Sequence, residues 1–450
     1  MSKSIARLTK LISVLFFAVI VLGACSGTGD DDNVSGSNSD DTGETTEDTN
    51  SDDGGETTLT WALWDKDATV YYEPLVEAFE ADHPNIKIEL LDLGSTDYQT
   101  VLGTQLSGGD SSIDIVTVKD IPGYASLINR NQLEPLSELA SDIDLDQYSG
   151  TVEQITVDGE YYALPFRSDF YVMYYNKDLF DAAGVDYPTN NLTFDEYDQI
   201  IREVSEKGTE ATGSPVYGGH YHVWRSQVQM YGLLDGQNTL VTDDYSFLEP
   251  IYETVLAQQN DGVVQDFATL NISSLHYSAA FYQNDVASLL MGTWFIPTLA
   301  TAIEEGESED FNWGMVTMPL TEGAEEGTST GTITTLGISS NSENKDEAWK
   351  FIEFVTSEEG SQIIADTGTM PAIQSDEIID IIATSPGFPD DEQSKEALSV
   401  TTTYLELPLD ENAAQVETIL NATHDSIMTE SMPVSDALED ASNQVGALLE

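Results

Sequence analysis

Three scarcities shape this 450-residue chain. It has a single cysteine, only 15 lysines and arginines against 81 aspartates and glutamates, and no apolar run long enough to cross a bilayer. One cysteine excludes an internal disulfide and any cluster of cysteine metal ligands, so the fold must rest on core packing. The formal net charge of −66 lacks the basic footprint that nucleic acid requires, and it repels an anionic lipid surface. The longest apolar stretch, 11–22, is about 12 residues, short of the roughly 20 that span a bilayer core.

What is present begins at that stretch. Lys3, Arg7 and Lys10 precede it, and Leu22-Gly23-Ala24-Cys25 follows. A basic start, a short apolar run and small residues read as a secretory signal over 1–24. The tetrad resembles the lipobox of bacterial lipoproteins, which implies that Cys25 carries a lipid and becomes the mature N-terminus, an extracytoplasmic anchor. Residues 26–56 hold 11 acidic residues, 19 Ser, Thr, Gly or Asn and one apolar residue, Val34. So little apolar area cannot offset the ordering entropy, so 25–56 is expected to be an acidic, disordered linker.

The remaining 394 residues suffice for two domains with substantial cores. The acidic surplus is expected to be a solvated surface suited to high salt, where ions screen self-repulsion. No Asp-x-Asp-x-Asp-Gly calcium loop accompanies it.

Periodicity predicts strands at 57–63, 86–91 and 113–118, alternating with helices at 71–81 and 98–106. That alternation marks an α/β domain with a largely parallel sheet. Asp158-Gly159 signals a hairpin turn between 154–157 and 161–164. Further strands are expected at 170–175, 286–291, 312–316 and 333–338. Helices are expected at 194–206, 223–233, 247–258 and 346–355, and a mostly helical C-terminus follows.

Four local patterns occur in order. The first is Trp61-Ala62-Leu63-Trp64-Asp65. The second is Asp114 and Asp120 with Gly123-Tyr124. The third is Ala163-Leu164-Pro165 followed by Tyr174-Tyr175-Asn176-Lys177-Asp178-Leu179-Phe180. The fourth is Met291-Gly292-Thr293-Trp294, then 340–354 and Gly368-Thr369-Met370-Pro371. Together they resemble the extracellular solute-binding proteins of ABC importers, in particular the sugar-binding group that includes the maltodextrin-binding proteins.

The resemblance implies a periplasmic-binding-protein-like fold of two α/β lobes with discontinuous crossings and a cleft between them. The lobes would comprise 57–136 with 334–392, and 137–333 with 393–450. It implies capture of a mono- or oligosaccharide by lobe closure and delivery to permease subunits in the membrane, by a monomer without cofactor or catalysis.

A sugar ring has apolar faces and a polar rim, so aromatic side chains with carboxylates, amides or arginine suit it. Trp64, Asp65, Asp120, Trp224, Arg225 and Trp294 are the candidates. Trp64, Asp65 and Asp120 fall where ligands sit in open α/β sheets, beyond the carboxyl ends of strands. Trp61, Trp313 and Trp349 are expected in the core, and Arg167 in a surface ion pair. His220 and His222 are expected to be a loop pair without metal, since two ligands do not make a site.

Rival readings remain. Gly327-Thr328-Ser329-Thr330-Gly331 matches Gly-x-Ser-x-Gly, but it lacks the strand-then-helix setting of a nucleophile elbow. A glycosidase would need two placed carboxylates. Tyrosine pairs leave ferric iron open, and the acidic surplus leaves a polyamine open.

Overall fold

The computed structural model describes residues 56–450 except 96, 149, 309 and 310. The expectations for the signal, Cys25 and nearly all of the linker lie outside the described residues.

Eight strands form a mixed sheet: β1 Thr57–Leu63, β2 Ile86–Asp92, β3 Ile115–Val118, β4 Leu164–Asn176, β5 Ser288–Gly292, β6 Trp313–Thr317, β7 Thr328–Ile338 and β8 Thr402–Leu405. The order is β2-β1-β3-β7-β4-β5, with β6 also paired to β4 and β8 to β7. β1 is parallel to β2 and β3, as strand–helix–strand connections require. β4 and β7 run antiparallel and are long for strands, at 13 and 11 residues.

These two strands tie two cores together. The first part of β4, Leu164 to Phe170, pairs with β7, whereas Tyr171 to Asn176 pairs with β5 and β6. Around β1–β3, Trp61 and Ile115 face one apolar cluster, and their neighbours Ala62 and Val116 face another. The same alternation recurs on β4: Tyr171, Met173 and Tyr175 enter one cluster and Val172 and Tyr174 its opposite. Each half of the sheet is therefore covered on both faces, and the strands read as nearly continuous apolar runs for that reason.

Residues 137–166, expected with the second lobe, instead place Ala140, Tyr148, Val152, Leu164 and Phe166 in the β1–β3 core. Conversely Ala365, Met370, Ile378 and Ile382 join the core of β4–β6. Chain order does not reveal this exchange, because both depend on which face of a distant strand a helix covers.

Local chemistry explains most boundaries. Thr193 and Glu196 form a reciprocal capping box at the start of the helix Phe194–Thr212, and Gly213 closes it at φ +74°. Asp158 and Gly159 take φ 54° and 85°, the turn their pair favours, but only the bridge Val157–Glu160 flanks them. The helix expected over 223–233 is a short α-turn, Ser226–Gln229, continued by a 3-10 turn, Met230–Leu233.

Candidate functional site

β1 ends at Leu63, and the next two residues turn out of the sheet. Asp65 is exposed in the left-handed region at φ 50°. Trp64 is half-buried, edge-on to Tyr98 with centroids 5.0 Å apart. The Lys119 ammonium sits 5.3 Å from the Trp64 ring. Burial pulls the Lys119 pKa down, opposed by the charges of Asp120 and Asp65.

Asp120 follows β3 and caps the helix Ile121–Asn129. Its Oδ1 accepts from the Gly123 N–H at 2.7 Å and from Gln99 Nε2 at 3.3 Å. A side chain at 123 would meet Gln99 Nε2 at 2.0 Å, so glycine there lets the two groups share the carboxylate. Burial raises the Asp120 pKa and the negative Glu417 adds to it, against the Gly123 hydrogen bond.

A second aromatic group gathers beside the end of β5. Trp224 is 38 % exposed, unusual for an indole, and is held edge-on by His222 at 4.6 Å and Tyr277 at 5.6 Å. Trp294, half-buried, lies edge-on to Tyr171 at 5.3 Å. Its six-membered ring covers Gly292, where a Cβ would fall 2.1 Å from a ring carbon. Tyr277 packs in the same apolar cluster as Trp294; burial raises its phenol pKa, and the Asp65 charge adds to that rise. Asp65 also opposes the burial that lowers the His276 pKa. The end of β1 therefore acts electrostatically on the Trp224–Tyr277–Trp294 group.

Beneath this group a polar chain joins the two cores. Arg167 donates to Asp169 Oδ2 from Nε at 3.2 Å and Nη2 at 2.6 Å, and to the Tyr71 hydroxyl. Asp169 Oδ1 accepts from Thr293 at 2.8 Å. Arg167 is buried, not at the surface as expected, because β4 carries it into the interior between the two cores.

Arg225 is also buried. Its Nη2 lies 2.9 Å from Glu406 Oε1, its Nε lies 2.9 Å from Glu417 Oε2, which Nη2 also contacts, and its Nη1 bonds Gln229 at 3.3 Å. Most of its donors are thus committed to protein acceptors, so its place is to hold two carboxylates. Burial pushes Glu406 up to about 7, opposed by Arg225 and reinforced by Glu417 and Asp120. Asp120, Arg225, Glu406 and Glu417 border a cavity of about 710 Å³. Its other walls are the helices Tyr98–Ser107, Ile121–Asn129 and Ala413–Met428.

The structure thus separates the six candidates: Asp65, Trp224 and Trp294 associate through His276 and Tyr277, Trp64 sits beside Asp65, and Asp120 shares the polar cavity with Arg225. His276 and Tyr277 escaped the sequence reading, and His222 was expected only as one of a loop pair. His222 and His220 are held neutral by burial, at about 3 and about 4. Among the described residues no group of three or more His, Cys, Asp or Glu side chains could hold a metal ion. Ser329 lies inside β7, fully buried, and donates to the Tyr171 carbonyl at 2.7 Å, so no nucleophile elbow exists there. Trp61, Trp313 and Trp349 are buried, as expected.

Two cores spanned by long strands, with polar and aromatic groups converging beside the crossing, define a binding protein of the two-lobed α/β class. The chain belongs to the bacterial extracellular solute-binding proteins, whose family model matches residues 65–362. A sugar transporter of Rhizobium etli, solved in an open conformation, is 46% identical, covering 87% of this chain and 99% of that one with a TM-score of 0.75. An ABC substrate-binding protein of Listeria monocytogenes in complex with cycloalternan shares the fold at 21% identity, over 88% and 99% of the two chains, TM-score 0.73. A lactose-binding protein of Rhizobium radiobacter is 26% identical over 299 residues, 64% of this chain and 68% of that one. The fold is that of the periplasmic binding proteins.

Proposed function

We infer that this chain is the substrate-binding protein of an ABC importer and captures a sugar outside the cytoplasm without transforming it. The observation that carries this reading is the group of Trp224, Tyr277 and Trp294, on which the carboxylate of Asp65, next to Trp64 at the end of β1, acts electrostatically. Aromatic faces with a carboxylate at the rim match the apolar faces and hydroxyl edge of a sugar ring. The names of the Rhizobium etli and Rhizobium radiobacter relatives, a sugar transporter and a lactose-binding protein, support it.

In this reading the lobes are 57–167 with 333–373, and 168–332 with 374–450, hinged where β4 and β7 pass between them, with Ala365 and Met370 reaching from the first lobe into the core of the second. Closure brings Trp64, Asp65 and Asp120 onto ligand held by Trp224 and Trp294, and it requires that ligand bind the closed state more tightly. Arg225 acts by positioning Glu406 and Glu417. Cys25, lipidated, anchors the protein at the extracytoplasmic face, and residues 26–56 give it reach towards the permease. The negative surface suits high salt.

Calorimetry on Trp294→Ala tests the site. The account expects sugar affinity to fall at least tenfold with the circular dichroism spectrum retained. Unchanged affinity would remove Trp294 from the site and with it the aromatic cleft.

A further inference from the structure

We propose that Gln229, Tyr252 and His424 are positioning residues of the site: a buried hydrogen-bond chain of fixed polarity orients the Arg225 guanidinium, and through it Glu406 and Glu417. The inference rests on the reading of Arg225 as the group that holds those two carboxylates. Arg225, Gln229, Tyr252 and His424 are all buried. Arg225 Nη1 donates to Gln229 Oε1 at 3.3 Å. Gln229 Nε2 donates to the Tyr252 hydroxyl at 2.9 Å, and that hydroxyl lies 3.0 Å from His424 Nδ1.

One charge sets every direction. A guanidinium has donors only, so it must face the amide oxygen of Gln229. The amide nitrogen then points to Tyr252, whose oxygen accepts and whose proton goes on to His424. His424 must therefore be neutral, with its own proton on Nε2, which meets no protein partner among the described residues. Burial, and after it the Arg225 charge, pull the His424 pKa down to about 3, which keeps Nδ1 an acceptor.

The chain closes on itself. Gln229 ends the turn Ser226–Gln229 that begins beside Arg225, and Tyr252 sits on the helix Glu249–Asn260. His424 lies on the helix Ala413–Met428, about two turns after Glu417. Glu417 bonds Arg225 at one end of that span and His424 takes the chain's last bond at the other. The guanidinium is thus held from two sides, by Glu406 and Glu417 at the cavity wall and by the oriented Gln229 amide in the interior. Without the Tyr252 hydroxyl, only a long bond of 3.4 Å to the Leu420 carbonyl orients that amide. Turned over, its NH₂ group meets the guanidinium donor to donor.

Two variants test this in 2 M KCl, each checked for folding by circular dichroism. Nitrogen NMR of the native protein should show His424 as the Nε2–H tautomer. Gln229→Glu supplies a carboxylate that accepts from Arg225 and Tyr252 alike, so the polarity reverses beyond it and the His424 proton moves to Nδ1. Tyr252→Phe loosens the guanidinium that lowers the Glu406 pKa, so the Glu406 titration midpoint, followed by carbon NMR, should rise by about one pH unit. Calorimetry of Tyr252→Phe with glucose, maltose, lactose and arabinose should show about tenfold weaker binding of whichever the native protein takes. A role in packing alone moves neither the tautomer nor the midpoint. An Nδ1–H tautomer in the native protein, an unchanged tautomer in Gln229→Glu, or an unchanged Glu406 midpoint or sugar affinity in Tyr252→Phe would overturn the inference. Binding of none of these sugars by the native protein would count against the sugar reading alone, because the NMR measurements use no ligand.

Discussion

At the scale of single residues, the site depends on what lies under its aromatic rings. Gly292 supports the Trp294 indole so closely that Gly292→Ala must displace it. The strand itself tolerates alanine, so the variant should keep its secondary structure and lose sugar affinity at least tenfold by calorimetry; unchanged affinity would mean the indole's position is immaterial. Arg167 poses a stability question instead. Arg167→Ala leaves Asp169 fully buried with only Thr293 as partner, and breaking a buried pair costs about 3–5 kcal/mol. Urea denaturation should show that loss, and Asp169→Asn in the Arg167→Ala background should restore part of it. Trp64, Trp224 and Trp294 were candidates in the sequence because few residue types can stack on a sugar. His276 and Tyr277 were not, and His222 was read only as a loop residue, since the contacts of His222 and Trp224 with His276 and Tyr277 form only after chain segments some 50 residues apart fold together. Arg225 was a ligand candidate in the sequence, but its partners Glu406 and Glu417 lie more than 180 residues away.

At the scale of elements, periodicity located β1, β2, β3 and the two helices between them to within two residues, because the helices have one buried face and the strands are short apolar runs. It failed where packing overrides pattern. β7 begins at Thr328, five residues before its expected start, since β8 and β4 pair with a Gly-Thr-Ser stretch that has little strand character of its own. The placing of 137–166 in the β1–β3 core, and of Ile378 and Ile382 in the β4–β6 core, was invisible for the same reason. One element pair has a pH signature. Glu406, just after β8, meets Glu417 on the helix Ala413–Met428 over Arg225, and its pKa stands near 7 against 4.5 for the unfolded chain. A raised carboxylate binds its proton more tightly when folded, so stability falls as pH rises from about 4.5 through 7 and is level above. The neutral histidines His220, His222 and His424 have the opposite slope, losing stability as pH falls below about 6.5. Comparison with Glu406→Gln separates the two. The variant should gain on the order of 1–3 kcal/mol relative to the native chain between pH 5 and 8, read from urea midpoints. Parallel pH profiles would contradict the assignment.

At the scale of the whole molecule, a net charge of −66 dominates. Its repulsion acts over ~10 Å in 0.1 M salt and ~3 Å in 1 M, so the melting temperature should rise steeply between 0.1 and 2 M KCl, and a flat dependence would count against a salt-adapted surface. Against that background the cleft is a local exception where charges pair. The central claim is that it takes up a sugar. Ligand that binds only the folded state at 100 times its dissociation constant stabilises by about 2.7 kcal/mol, or about 3 °C for a protein of this size. The most direct measurement is a thermal-shift screen in 2 M KCl with mono- and oligosaccharides, spermidine and ferric citrate, on the native protein and Trp294→Ala. A shift of about 3 °C or more with a sugar, absent in Trp294→Ala, is the predicted result. A shift with spermidine or ferric citrate and none with any sugar would contradict the account.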